Sequence, residues 1–320
     1  MFPNAQTAVI AKPACTTTTR IITMKQSTLA GPLLAASAFV LWGLTPLYYR
    51  LVPGADVFEM LAQRLIWSVP TLLLVMLIIG RHIDLRTVLA DRRSLLLCLL
   101  AGLFMCLSWY CFIYAMTHGQ VLAASLGFFI NPLCSIALGV LFLSERLNRA
   151  QAAAVVLGIL GVGWQVWHYG ELPWLSLGMG IAFGFYGMIK KYIAFDSLTS
   201  LLVEAMLLTP FALGYLLWRF HDGSSVFFES NSNIQLLYIL SAPVTLLPVG
   251  LFTLAVRRTS LTVVGLIQYI EPSLQFFLAI ALFGEVFDSV KAVSFGFIWT
   301  GLLLCCLQSA YDHYRPRRAY

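Results

Sequence analysis

From Gln268 to Glu285 the chain reads QYIEPSLQFFLAIALFGE, which sets a carboxylate, two amides and a proline inside an otherwise apolar run. Glu271 lies about ten residues from either end of that run, a depth at which an ionised group is costly enough to point to function. The chemistry open to such a carboxylate is proton uptake and release as its surroundings are alternately wet and dry. Pro272 cannot donate to the carbonyl four residues back, so the carbonyl of Gln268 becomes available at the same depth. Gln268 and Gln275 add further donors and acceptors. The bland alternative is a buried polar patch that only holds helices together.

The same arrangement occurs 140 residues earlier, where Phe128 to Glu145 reads FFINPLCSIALGVLFLSE. Asn131, Pro132 and Glu145 stand where Glu271, Pro272 and Glu285 stand later. An ungapped shift of 140 also pairs Phe112 with Phe252, Ala115 with Ala255, Leu126 with Leu266 and Gly161 with Gly301. Asn131 and Glu271 are therefore expected on opposite walls of one cavity, with Glu271 as the proton-coupling residue and Asn131, Gln268 and Gln275 as binding partners.

Arg64 is a further ionisable group inside an apolar run, about two turns from its outer end. Glu59 and Gln63 share a helix face, whereas Arg64 is five residues from Glu59 and points away from it, so Arg64 is expected to meet another helix or an anionic ligand. Snorkelling to the interface is the alternative. Glu204 holds the inverted counterpart of the Glu59 position. Trp42 and Tyr49, Tyr186, and Trp109 recur at helical spacing and would suit an organic or cationic solute; a packing stripe is the commoner meaning of such spacing. Lys190 and Lys191 read as anchors for the end of their helix, and Glu145 as a boundary residue.

The elements that must position these groups are membrane-spanning helices. Hydrophobic residues make up 60% of the 320 and charged residues 11%, far from the ~25% charge of soluble domains. Apolar runs fall at about 29–49, 57–79, 95–116, 121–143, 152–167, 174–193, 198–218, 236–256, 262–283 and 292–310. They are continuous rather than alternating, which argues for helices and against a barrel. The expected fold is an all-α integral membrane protein of ten transmembrane helices. Five spans per half is odd, so the second half must enter from the opposite side, giving two inverted five-helix repeats with a site near their interface.

The net charge of +6 does not imply nucleic acid, because the basic residues sit in short loops. Lys12, Arg20, Lys25, Arg81, Arg86, Arg92, Arg93, Arg146, Arg149, Lys190, Lys191, Arg257, Arg258, Arg315, Arg317 and Arg318 fall on one side; only Arg50, Arg219 and Lys291 fall on the other. Sixteen against three places both termini in the cytoplasm. The seven cysteines and five histidines show no ligand spacing, so neither metal, cofactor nor catalytic nucleophile is expected.

The motifs LWGLTPLYYR (Leu41 to Arg50), EMLAQRLIWS (Glu59 to Ser68), ASLGFFINPL (Ala124 to Leu133), LGVLFLSERL (Leu138 to Leu147) and GLIQYIEPSLQF (Gly265 to Phe276) resemble the RarD branch of the EamA family, in the drug/metabolite transporter superfamily. The resemblance runs from about Lys25 to Tyr311. It implies two EamA-like repeats, residues 25–169 and 170–312, followed by a basic cytoplasmic tail at 313–320. Residues 1–24 have no counterpart, and Met24 reads as the true start with the residues before it as an extension.

The resemblance further implies a bacterial inner-membrane carrier that moves small metabolites or drugs by alternating access. A facilitative channel-like permease and a membrane-embedded enzyme acting on lipid are the alternatives. Expected partners are a small-molecule solute and the lipid bilayer, with protons as a candidate coupling ion and a homodimer as a candidate assembly.

Overall fold

The apolar runs all fold as helices. A computed structural model describes residues 29–49, 51–52, 56–81, 83–117, 121–170, 174–282 and 289–314. Residues 1–28, Arg50, Glu285 and the residues beyond 314 lie outside the described residues. Helices α1 (Ala30–Gly43), α2 (Thr45–Tyr49), α3 (Val57–Ile78), α4 (Leu85–Ala90), α5 (Arg92–Thr117), α6 (Val121–Leu143) and α7 (Arg149–Tyr169) precede residue 170. They are followed by α8 (Trp174–Lys190), α9 (Ser197–His221), α10 (Val226–Glu229), α11 (Ser232–Arg258), α12 (Leu261–Gln268), α13 (Ile270–Ala281) and α14 (Ser289–Tyr314). No strand occurs among the described residues.

Short polar residues place the helix starts. Asp56, Asn231 and Ser260 accept the backbone N–H three residues on, at the heads of α3, α11 and α12. Asn148 and Gln151 form a reciprocal capping box on α7, and Gly170 ends that helix at φ 75°, a conformation glycine adopts without a Cβ penalty. Each device satisfies backbone groups that lipid could not.

Seven segments are long and apolar enough to cross a membrane: Ala30–Tyr48, Phe58–Ile78, Arg92–Phe112, Arg149–His168, Ser197–His221, Ser232–Arg258 and Leu261–Leu278. Shorter apolar stretches lie in α6 (Gly127–Leu143) and α14 (Ala292–Gln308), and α8 has 17 residues. Many large side chains on these helices face outward, among them Leu77, Leu141, Phe211 and Trp167, which in water would be a large exposed apolar surface. They form the face a bilayer would cover.

The main helix pairings are α6 with α8, α7 with α14, α5 with α8, α1 with α11, α3 with α9, and α6 with α12; α11 also meets α3, α5 meets α9, and α1 meets α12 and α13. The largest buried cluster lies between α1, α5, α8 and α11, with Phe39, Trp42, Phe183, Tyr186 and Phe252 at its centre. Small residues set the closest approaches. A Cβ on Gly265 would stand 2.8 Å from both the Pro132 carbonyl oxygen and Ile136 Cγ1. Because one obstacle is backbone, Gly265→Ala is expected to cost about 1–3 kcal/mol by overpacking the α6–α12 crossing. Gly214→Ala, with nothing near its added methyl, should be neutral in the same unfolding measurement.

The two proline-containing runs differ. Helix α6 passes Pro132 unbroken, whereas the later run divides at Tyr269 into α12 and α13. Pro272 removes the rung that would have closed on the Gln268 carbonyl, so the break falls next to the missing bond.

Candidate functional site

Two ends of the bundle are distinguished by their polar networks. At the end where α8 passes into α9, here the proximal end, the Arg257 guanidinium donates to the Phe195 carbonyl and Lys191 Nζ donates to the Thr259 carbonyl at 2.8 Å. Glu145 accepts the N–H groups of Leu261 and Thr262, both at 2.7 Å, and so caps the start of α12 from the far side of the crossing. Lys191 stands 3.6 Å from the same carboxylate. The boundary residue of the sequence is thus a tie between the two halves of the chain.

At the distal end, Arg219 of α9 bridges Asp56 and Glu59, each at 3.1 Å. Glu59 is fully buried and also accepts the Phe227 N–H at 2.8 Å. Tyr238 accepts the Asp56 N–H at 3.0 Å. Glu59 therefore pairs with α9 rather than with Arg64, as its helix face requires.

A cavity of about 370 Å³ lies between these ends, walled by α1, α3, α5, α8, α9 and α11. Its wall is mostly apolar and aromatic. Phe58 and Tyr110 stand half-exposed toward the distal end, while Tyr186, Leu201 and Glu204 form the proximal floor. Arg64 enters from α3 with its guanidinium carbon 4.6 Å from the centre of the Trp109 ring, a cation–π contact. Trp42 closes one side, 5.9 Å from Phe183 and 5.7 Å from Phe252 between ring centres. Tyr186 stacks on Phe252 at 5.8 Å with 12° between planes.

The floor is held by an ion pair that the sequence hid. Lys190 was expected to anchor the end of α8 in the interface; instead it is fully buried, with Nζ donating to Glu204 and, at 3.2 Å, to Ser200 Oγ. Its ammonium lies 5.3 Å from the Tyr186 ring centre. The correction has a physical cause: adjacent lysines at a helix end look alike in sequence, but they point about 100° apart. Lys191 faces Glu145, and Lys190 faces the bundle.

Of the residues singled out in the sequence, Trp42, Arg64, Trp109 and Tyr186 line the cavity together. Asn131, Gln268, Gln275 and Glu271 are not among its lining residues, and the side chain of Tyr49 lies outside the described residues. Asn131 faces α8, its Oδ1 3.1 Å from where a Cβ on Gly180 would stand, while the Glu271 carbonyl lies 3.3 Å from the equivalent point on Gly43 of α1. Asn131 Oδ1, Gln268 Oε1 and Thr262 Oγ1 are buried and find no hydrogen-bond partner among the described residues. The polar wall residues that sequence reasoning passed over are Ser68, Cys106, Tyr215 and Thr245, none of which carries a spacing signal. Glu204 did carry one, through its correspondence with Glu59. No group of histidine, cysteine or acidic side chains suited to a metal occurs among the described residues.

A bundle of apolar helices around an aromatic chamber, with ion pairs tying helices together toward each end, is a multi-pass membrane protein of the helical type. The model of the EamA-like transporter family matches it twice, at residues 29–166 and 173–307. The chain belongs to that family, and to its RarD-type members within the drug/metabolite transporters. It is 36% identical over 293 residues to Protein RarD of Escherichia coli K12, covering 92% of this chain and 99% of that one. An uncharacterized transporter of Vibrio cholerae is 36% identical over 296 residues, covering 92% and 98%. The chloramphenicol-sensitive protein RarD of Pseudomonas aeruginosa is 31% identical, covering 88% and 94%. A crystal structure with 16% identity shares the fold, at a TM-score of 0.67 over 87% of this chain and 99% of that one. The family description and the name of the Vibrio cholerae relative both carry membrane transport.

Proposed function

We propose that the protein is a secondary transporter of the bacterial inner membrane that moves a small organic solute by alternating access. The observation that carries this reading is the cavity. It is large enough for a small molecule, lined by Trp42, Trp109, Tyr110, Tyr186 and Tyr215, and supplied with one basic and one acidic side chain in Arg64 and Glu204. An aromatic wall gives area and cation–π contact to an organic solute, and the charges orient it.

Ten spans in two inverted repeats fit the way the helices pair. Exchanging the first five apolar runs for the second five turns α6–α8 into the pairing of α1 with α12 and α13, α5–α8 into α1–α11, and α5–α9 into α3–α11. The pairings α3–α9, α7–α14 and α6–α12 map onto themselves, and all of them occur. That invariance supports a pseudo-twofold axis through the cavity, the arrangement of carriers that rock one repeat against the other. The excess of Lys and Arg at the proximal end supports its assignment to the cytoplasm. On that assignment the half-exposed Phe58 and Tyr110 of the cavity wall support an outward-facing cavity. Two carboxylates are candidates for proton coupling: Glu271 beside the α12–α13 break and Glu204 on the cavity floor.

Saturable uptake into proteoliposomes, measured for a panel of amino acids, nucleosides, amines and amphenicols, tests the reading. Arg64→Met is expected to reduce that flux about tenfold at subsaturating solute, the equivalent of ~1–2 kcal/mol of lost cation–π and ionic contact. Saturable flux unaffected by Arg64→Met would remove the cavity from the path. Chemical conversion of a lipid or solute without flux would replace the carrier with a membrane-embedded enzyme.

A further inference from the structure

Glu204 is the only carboxylate among the described residues that line the cavity. Directly behind it, away from the cavity, stands the ammonium of Lys190, with no exposed surface. The carboxylate thus separates a buried cation from the space a solute and water would enter. Lys190 is the last residue of α8, and Ser200 and Glu204 lie in the first two turns of α9. Helices α8 and α9 each pack on other helices, but α8 with α9 is not among the main pairings, and the ion pair is a direct tie between them at this end. Water is close on the other side: Lys191 is only partly covered, and Tyr192 is half-exposed.

We infer that the Lys190–Glu204 pair is the proton-coupling site of the carrier, with Glu204 taking a proton from the outward-facing cavity and Lys190 converting that proton into opening of the cytoplasmic end. The inference rests on the transporter reading and deepens it. While Glu204 is ionised, the pair is neutral and stays dry. Once Glu204 is protonated, Lys190 becomes an uncompensated buried cation, among the least favourable states a protein interior can hold. Separation of α8 from α9 at the proximal end relieves it by admitting water to the ammonium. The balance is one proton per cycle. It leaves the outer water, forms the Glu204 O–H bond, and departs to cytoplasmic water after opening; the Lys190 ammonium keeps its own proton throughout.

The surroundings of Glu204 favour this assignment over Glu271. The ionisable groups facing it are Lys190 and Tyr186 from α8, Cys98 from α5 and Arg257 from α11, with Arg64 of α3 and Cys106 of α5 along the same cavity wall. No second carboxylate among the described cavity residues competes for the proton. Glu271 lies outside the cavity wall, so protonating it leaves the Lys190 pair intact.

Hydrogen exchange of the α8–α9 junction, read from peptides spanning Gly187 to Ser200 in purified protein, tests the inference without any solute. After correction for the intrinsic pH dependence of exchange, the wild-type junction should open at least about tenfold more between about pH 8 and about pH 5.5. Glu204→Gln should be open throughout. The double variant Lys190→Met/Glu204→Gln, which holds no buried charge, should be closed throughout, and Glu271→Gln should respond as wild type. A wild-type junction indifferent to pH overturns the proposal, as does a response that survives in Glu204→Gln or in the double variant, or one abolished by Glu271→Gln alone. The double variant keeps the test decisive if Glu204→Gln does not fold. A normal junction response with no saturable flux in the solute panel would instead count against the transporter reading.

Discussion

Replacing Arg219 with alanine is expected to lower the stability of the bundle by about 3–5 kcal/mol. The size follows from what remains rather than from what is removed. Glu59 is fully buried, and its two oxygens are committed to Arg219 and to the Phe227 N–H. Without the guanidinium, Glu59 and Asp56 face each other as like charges three residues apart, at the head of α3. The α3–α9 contact and the seating of the short α10 segment loosen together, because Phe227 belongs to α10. Asp56→Asn should cost less, ~0.5–1 kcal/mol, since Asp56 is a quarter exposed and surface pairs contribute little. Denaturant unfolding of both variants in the same mixed micelles makes the comparison. Equal losses would show that Glu59 does not depend on Arg219.

A loss of similar size, about 3–5 kcal/mol, is expected for Lys190→Met, which leaves Glu204 buried beside an apolar wall. Here a second substitution decides between charge and packing. Lys190→Met/Glu204→Met removes both charges and keeps comparable volume, and it should return to within about 1 kcal/mol of wild type or exceed it, because two desolvated ions are replaced by apolar contact. If the double variant is as unstable as the single one, the loss comes from packing around Tyr186 and Ser200 rather than from the stranded carboxylate. Stability and coupling should part company: the double variant should fold well and yet lose the proton-driven opening of the cytoplasmic end.

Much of the architecture was legible in composition and spacing. Each of the ten apolar runs is helical among the described residues, and the chain belongs to the family its motifs resembled. The missing rung beside Pro272 was visible, but not that the run divides at Tyr269 while Pro132 leaves α6 unbroken. What the sequence obscured was facing. Trp42, Arg64, Trp109 and Tyr186 were recognised because aromatic and charged side chains are conspicuous in an apolar run, and they do meet around one cavity. Asn131 and Glu271 were equally conspicuous, yet depth in the membrane fixes only one coordinate, and rotation about the helix axis turns Asn131 toward Gly180. Lys190 shows the converse case. Beside Lys191 it read as an interfacial anchor, and only the packing of α8 against its neighbours shows which of the two lysines turns inward.

Helix α9 carries one polar attachment near each end, Glu204 toward Lys190 and Arg219 toward Glu59. The two are fifteen residues apart, about 22 Å at 1.5 Å per residue, and Pro210 sits between them. A straight rod fastened at both ends would act as a seesaw, each end moving only at the expense of the other. Pro210 deletes one rung near the centre of that rod and leaves a soft point in it. Bending at that point would let the proximal part of α9 swing while the distal part stays clasped by Arg219.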